Sequence, residues 1–297
     1  MSPAPLHHTA PGPTATGMLG QRIVTAVVLV VLLLAALAAP SAWPFALLTL
    51  LLVAAAGWEW GRLNQAGMLL SSLFGGAVAL GGLAALAAGW KQDAPAALWW
   101  LVAALWVGAG ALALKSGPSA WPRLPRAARW ALGVVTLWAA WLALAQARAV
   151  GINFLLSVLA LVWMADVAAY FGGRAFGRRK LAPAISPGKS WEGVWSGMAG
   201  VLLLAALWIA IDQRFAVDAP SLYTRLWQHL GLAGLVVAML VLSGLSVVGD
   251  LVESLVKRAA GAKDSSRLLP GHGGVLDRVD ALLPVLPAAM ALRSLAG

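Results

Sequence analysis

The chain of 297 residues contains no cysteine, only two tyrosines, and only 11% charged residues. Without cysteine there is no disulfide framework, no thiolate metal site and no cysteine nucleophile. The redox compartment stays open. Soluble proteins carry about 25% charged residues, so less than half of the usual polar covering is present. With 61% hydrophobic residues and a mean hydropathy of +0.84, such a chain cannot clothe a globular surface, and a soluble enzyme is excluded. The charges that remain are mostly of one sign, 21 Lys and Arg against 11 Asp and Glu, for a net of +10. In a lipid-solvated chain that excess belongs to cytoplasmic loops and anionic headgroups or phosphates. Nucleic acid is therefore not an expected partner.

What is present is a series of long apolar runs. A spanning helix needs about 20 mostly apolar residues, and the sequence predicts an all-α polytopic membrane protein with about nine spans. They lie near 23–39, 43–58, 66–89, 95–114, 130–147, 150–171, 193–211, 230–249 and 279–296. Residues 1–20, rich in Pro, Gly, Ala and Thr, read as a disordered tail. With the N-terminus cytoplasmic, all but five of the 21 Lys and Arg fall on the cytoplasmic side, the exceptions being Lys91, Arg148, Arg214, Arg225 and Arg293. That asymmetry is what the positive-inside rule requires. Tryptophans near span ends, including Trp43, Trp60, Trp99, Trp100 and Trp191, read as an interfacial belt.

Residues 21–148 look like a transmembrane scaffold, and 149–297 like a catalytic transmembrane region. In the first half, Glu59 and Arg62 are spaced to pair at i, i+3 at the membrane edge. In the second half, seven carboxylates (Asp166, Glu192, Asp250, Glu253, Asp264, Asp277 and Asp280) gather in two loops and the helix ends that feed them. Asp166 closes an otherwise uncharged run, with Tyr170 a turn further and Arg174 beyond. Next comes Ser186-Pro187-Gly188-Lys189-Ser190-Trp191-Glu192-Gly193. It reads either as a phosphate cradle at a helix N-terminus or as a helix cap in a positive loop. The glycine spacing of a Walker A loop is absent.

Asp250, Glu253, Ser254 and Lys257 fall on one helical face, and a polar stripe extending an apolar span must face protein or water. Arg258, Lys263, Asp264, the run Leu269-Pro270-Gly271-His272-Gly273-Gly274, and Asp277-Arg278-Val279-Asp280 follow. Carboxylates among many cations suit phosphoryl or nucleotidyl transfer with Mg²⁺. No nucleophile elbow for acyl transfer is found.

The stretch from Ser254 to Asp280 resembles the signature of the phosphatidate cytidylyltransferases: Ser254, Lys257-Arg258, Lys263-Asp264, Ser266, Leu269-Pro270, His272-Gly273-Gly274 and Asp277-Arg278-x-Asp280, without a gap. Asp166 to Arg174 and Ser186 to Gly193 are similar to two further segments of that family. Val167 departs from a common hydroxyl residue, and Ser190 replaces Thr. The resemblance implies transfer of a cytidylyl group from CTP to phosphatidic acid, with Mg²⁺ and with or without a monovalent cation. It implies a multi-pass homodimer in the inner (cytoplasmic) membrane, and Gly57-x-x-x-Gly61 and Gly193-x-x-x-Gly197 permit close helix packing. On this reading Asp250, Asp277 and Asp280 hold metal. Lys257, Arg258, Lys263, Asp264, His272 and Arg278 serve catalysis, with His272 confined to orientation. Tyr170, Arg174, Lys189, Ser190, Ser254, Gly273 and Gly274 bind substrate. The alternatives are a cytidylyltransferase for another membrane lipid phosphate, a phosphate-gated transporter, or a CDP-alcohol phosphotransferase, whose paired aspartate motif is absent.

Overall fold

A computed structural model of the chain describes residues 15–90, 92 and 94–296. Ten helices follow one another: α1 Ala15–Ala38, α2 Trp43–Leu63, α3 Met68–Ala87, α4 Ala96–Ser116, α5 Arg126–Val150, α6 Ile152–Phe176, α7 Trp191–Arg214, α8 Leu222–Ala259, α9 Leu276–Val279 and α10 Leu282–Arg293. Seven of these, α2 to α8, are long and apolar enough to cross a membrane. The expected first span is a shorter apolar stretch, Ile23–Ala38, within α1. The expected ninth is broken near Asp280 into α9 and the 12-residue α10. The expected tail lies partly outside the described residues, and its residues from Ala15 onward are helical.

Helix α10 is too short to span, and it is buried almost all round, from Leu283 to Ala291. It packs against α8, α4 and α5, as a helix that is apolar on every face must. Pro284 falls in its first turn, where a missing N–H breaks no helical bond. The chain is not entirely helical. Strands β1 (Lys180–Ala182) and β2 (Ser186–Ser190) form a small antiparallel hairpin between α6 and α7.

Glycine sets the closest helix contacts. A Cβ at Gly193 would lie 2.9 Å from the Ala169 carbonyl oxygen, and one at Gly197 would lie 2.8 Å from that of Ala165. At the α2–α3 contact, a Cβ at Gly57 would lie 3.3 Å from the Gly75 Cα, and one at Gly61 would lie 2.7 Å from the Phe74 ring. Both small-residue motifs therefore close contacts within the chain. The tryptophans also depart from expectation. Trp60 and Trp99 are buried at 5% and 2% exposure, whereas Trp43, Trp100 and Trp191 remain exposed. The Trp60 indole N–H donates to the Arg129 carbonyl, and that of Trp141 to Ala46. At the end of the bundle away from the hairpin, Asp218 accepts from the first two N–H groups of α6, Ile152 and Asn153. Asp212 accepts from Asn153, Ser221 and Thr224, tying α6, α7 and α8 together.

Gly197→Leu is expected to destabilise the bundle by about 1–3 kcal/mol through overpacking. Gly76→Ala, at a helical position with open space around it, is expected to stabilise by about 0.5–1 kcal/mol. Thermal unfolding in detergent measures both. Equal midpoints for Gly197→Leu and wild type would refute the close α6–α7 contact.

Candidate active site

The two polar constellations meet in one crevice. A cavity of about 430 Å³ opens between α6, β2, α7 and α8, lined among others by Asp166, Tyr170, Arg174, Lys189, Ser190 and Asp250. Its inner wall is made of small residues, Ala165, Ala169, Gly193 and Gly197. The glycine contacts of α6 and α7 thus also shape the crevice. Lys189, at the end of β2, reaches across 61 residues of sequence to place its Nζ 2.5 Å from Asp250 Oδ2. Both side chains are about a quarter exposed. Asp166 lies within electrostatic range of this pair. Ser254, one turn beyond Asp250 on α8, donates to Asp250 Oδ1.

Ser190 serves the architecture of the segment. Its hydroxyl accepts from the Gly193 N–H and caps α7, while the residue also lines the crevice beside Lys189. Glu192 turns back to accept from the backbone N–H groups of Arg178 and Arg179, which fixes the entry to the hairpin. Arg258 donates to the Ile185 carbonyl, holding the hairpin from the α8 side.

Beyond α8, the segment 260–280 folds around carboxylates. Lys257 Nζ lies 2.6 Å from both Glu253 Oε2 and Asp277 Oδ1. Glu253 itself is 2% exposed. The other Asp277 oxygen accepts from the Ser265 and Gly274 N–H groups and from the Ser265 hydroxyl. Burial would raise the Asp277 pKa, but the Lys257 hydrogen bond and these N–H donors outweigh it and hold the carboxyl at about 2. Arg278 donates through Nε and Nη2 to the His272 carbonyl. His272 Nδ1 is buried with no hydrogen-bond partner among the described residues. Gly273, at φ +82°, occupies the left-handed region that favours glycine. A Cβ on Gly274 would collide with Ser265 and Glu59. Both glycines therefore shape the loop. Lys263 and Asp264 are exposed.

Asp280 sits apart from Asp277 in its surroundings. Burial and the negative charge of Asp250 push its carboxyl up to about 7. Two mutually repelling, oxygen-only donors suit a hard divalent cation such as Mg²⁺. Among the described residues, no three His, Cys, Asp or Glu side chains gather closely enough to hold one ion. Of the expected three-carboxylate set, Asp250 and Asp280 lie within electrostatic range of each other, and Asp277 is engaged by Lys257 and the loop.

The residue that sequence reasoning missed is Glu59. It does not pair with Arg62, whose guanidinium stacks 4.9 Å over the Trp58 ring. Glu59 is fully buried, and its two oxygens accept from the Val275 and Leu276 N–H groups and from the Ser265 and Ser266 hydroxyls. The available signal was a carboxylate inside a spanning helix, which by default marks a functional position.

The fold and crevice are those of a multi-pass membrane protein with a cation-and-carboxylate crevice at one end of its bundle. The chain belongs to the cytidylyltransferase family, whose sequence pattern it matches over residues 20–296. It is 38% identical to a phosphatidate cytidylyltransferase of Pseudomonas aeruginosa, over 94% of this chain and 98% of that one. It is 47% identical to the enzyme of that name from Haemophilus influenzae, over 46% of this chain and 44% of the relative. With the Brucella suis enzyme the identity is 48%, over 50% of this chain and 47% of the relative. The matched segment thus spans about half the length of the latter two relatives.

With divalent ions chelated, wild type is expected to lose stability as pH rises from about 4 to about 7. The folded-state pKa of Asp280 lies above the ordinary value of about 3.9, so the folded protein must ionise it against Asp250. Asp280→Asn should have the higher unfolding temperature at pH 8, and the advantage should vanish near pH 4. Parallel pH profiles for the two proteins would disprove the repulsion.

Proposed function

We propose that the protein transfers a cytidylyl group from CTP to phosphatidic acid, giving CDP-diacylglycerol and pyrophosphate. The carrying observation is the Lys189–Asp250 contact, which joins the family-like segment Ser186–Gly193 to the polar face of α8 that leads into the Ser254–Asp280 signature. Together with the family membership and the full-length likeness to the Pseudomonas enzyme, it favours this reaction over transport or another lipid phosphate.

Arg174 and Lys189 offer positive charge inside the crevice, and Lys263 and Arg278 add it on the adjoining loop. These groups bind and orient the triphosphate and the lipid phosphate. Mg²⁺ is held through one or two carboxylates plus substrate phosphates, so Asp250 and Asp280 would hold it, and when bound it neutralises charge on the triphosphate. An oxygen of the lipid phosphate forms a bond to the α-phosphorus of CTP. The bond from that phosphorus to the bridging oxygen breaks, and pyrophosphate leaves with the electron pair. A phosphomonoester is already largely ionised at neutral pH, with a second pKa of about 6, so no strong general base is needed.

The concentration of Lys and Arg on the hairpin and the 257–278 segment supports a cytoplasmic position for this end of the bundle, and a crossing by α1 would put the N-terminus on the same side. The inner membrane is the expected location. Assembly as a homodimer rests on the resemblance alone.

Incorporation of labelled CTP into phosphatidic acid by purified protein in detergent tests the assignment. Asp250→Asn is expected to lose about 100-fold or more in turnover with the fold retained, whereas Lys115→Ala, on α4, should change little. Undiminished turnover in Asp250→Asn would remove it from the site.

A further inference from the structure

We propose that Glu59, on α2 in the scaffold half, is a positioning residue for cytidylyl transfer, holding the 264–276 loop and the start of α9 in the geometry that the site requires. The inference rests on the proposed reaction only for its kinetic arm.

The argument starts from donors that the loop cannot satisfy by itself. Within it, Leu269 N–H donates to the Gly273 carbonyl and His272 N–H to the Leu269 carbonyl. Four further N–H groups turn to carboxylates: Ser265 and Gly274 to Asp277, Val275 and Leu276 to Glu59. A buried N–H without an acceptor is strongly disfavoured, so the loop keeps this shape only while both carboxylates are in place. Each Glu59 oxygen takes one backbone N–H. Oε1 accepts from Val275 and also from the Ser266 hydroxyl, and Oε2 accepts from Leu276, while the one Ser265 hydroxyl proton is shared between Oε2 and the nearer Asp277 oxygen.

Two consequences distinguish Glu59 from a generic buried polar group. Its partners come from more than 200 positions away in sequence, so it couples the first half of the chain directly to the second. The residues that it holds immediately precede Asp277, Arg278 and Asp280, so any slack in the anchor is transmitted to those side chains. A glutamine has the same shape but only one accepting atom, and its amide nitrogen would face a backbone N–H. It can satisfy one of the two N–H groups, never both.

Three proteins are compared in detergent: Glu59→Gln, Ser266→Ala and, as a control, Arg62→Ala, the residue that spacing pairs with Glu59. Amide hydrogen exchange over 264–276 and kcat per folded molecule are measured, with KM for CTP and the unfolding temperature. Glu59→Gln should raise exchange in that segment and lower kcat at least about tenfold, because small misplacements near reacting groups are costly. KM should change less than kcat. Arg62→Ala should match wild type. A merely structural role would lower the folded yield and leave kcat per folded molecule unchanged, and that result would overturn the proposal, as would unaltered exchange over 264–276. If Glu59→Gln does not fold, Ser266→Ala decides: it removes one of the four bonds, and wild-type exchange and kcat there would equally overturn it. If wild type itself transfers no cytidylyl group, the proposed function fails, and the exchange comparison still tests the anchor.

Discussion

The 260–280 segment carries more backbone donors than it can satisfy internally, and buried carboxylates make up the difference. Asp277 and Glu59 each accept two of its N–H groups, and the single cation of Lys257 lies against both Asp277 and Glu253. In an apolar surrounding an uncompensated charge or an orphaned amide costs several kcal/mol, so these contacts act as a set. Three elements, α2, α8 and α9, are drawn to the same point by that requirement. The positions of His272, Arg278 and Asp280 follow from it.

The crevice has the opposite character. Lys189 lies on Asp250 there, and burial together with Asp250 pushes up the carboxyl of Asp280 nearby. The loop is a network in which Glu59 and Asp277 take up backbone N–H groups, although His272 Nδ1 is left without a partner among the described residues. The crevice holds carboxylates and cations that compensate one another only in part. Lys257 and Asp277 are engaged with each other in the loop network, whereas Asp166, Lys189 and Asp250 line the cavity.

Much of this was readable from local pattern. The apolar runs of α2 to α8 report spanning length, and the spacing of Asp250, Glu253, Ser254 and Lys257 reports one helical face. The signature from Ser254 to Asp280 carries the family. What pattern could not report was pairing between distant segments. Glu59 had a cation three residues away, and nothing local indicates that its partners are Ser265, Ser266, Val275 and Leu276. The glycine motifs signal close packing without naming the partner, which proves to be within the chain. Ser190 fitted both a cap and a cradle because both use a hydroxyl at a helix start. The final apolar run suggested another crossing, but composition does not distinguish a lipid-facing helix from one enclosed by protein, as α10 is.

Helix α8 is interrupted at Gly231, whose φ of +66° and ψ of −173° are non-helical. Upstream, Ser221 and Tyr223 fasten the helix start to its neighbours, with the Tyr223 hydroxyl donating to the Ser157 carbonyl. Downstream runs the unbroken stretch that ends in Asp250, Glu253 and Lys257. The rotational phase of those three side chains is therefore counted from the break and not from the anchored start. One residue inserted after Gly231 would swing the acidic face by about 100° about the helix axis, whereas the same insertion upstream leaves its phase to be absorbed at the glycine.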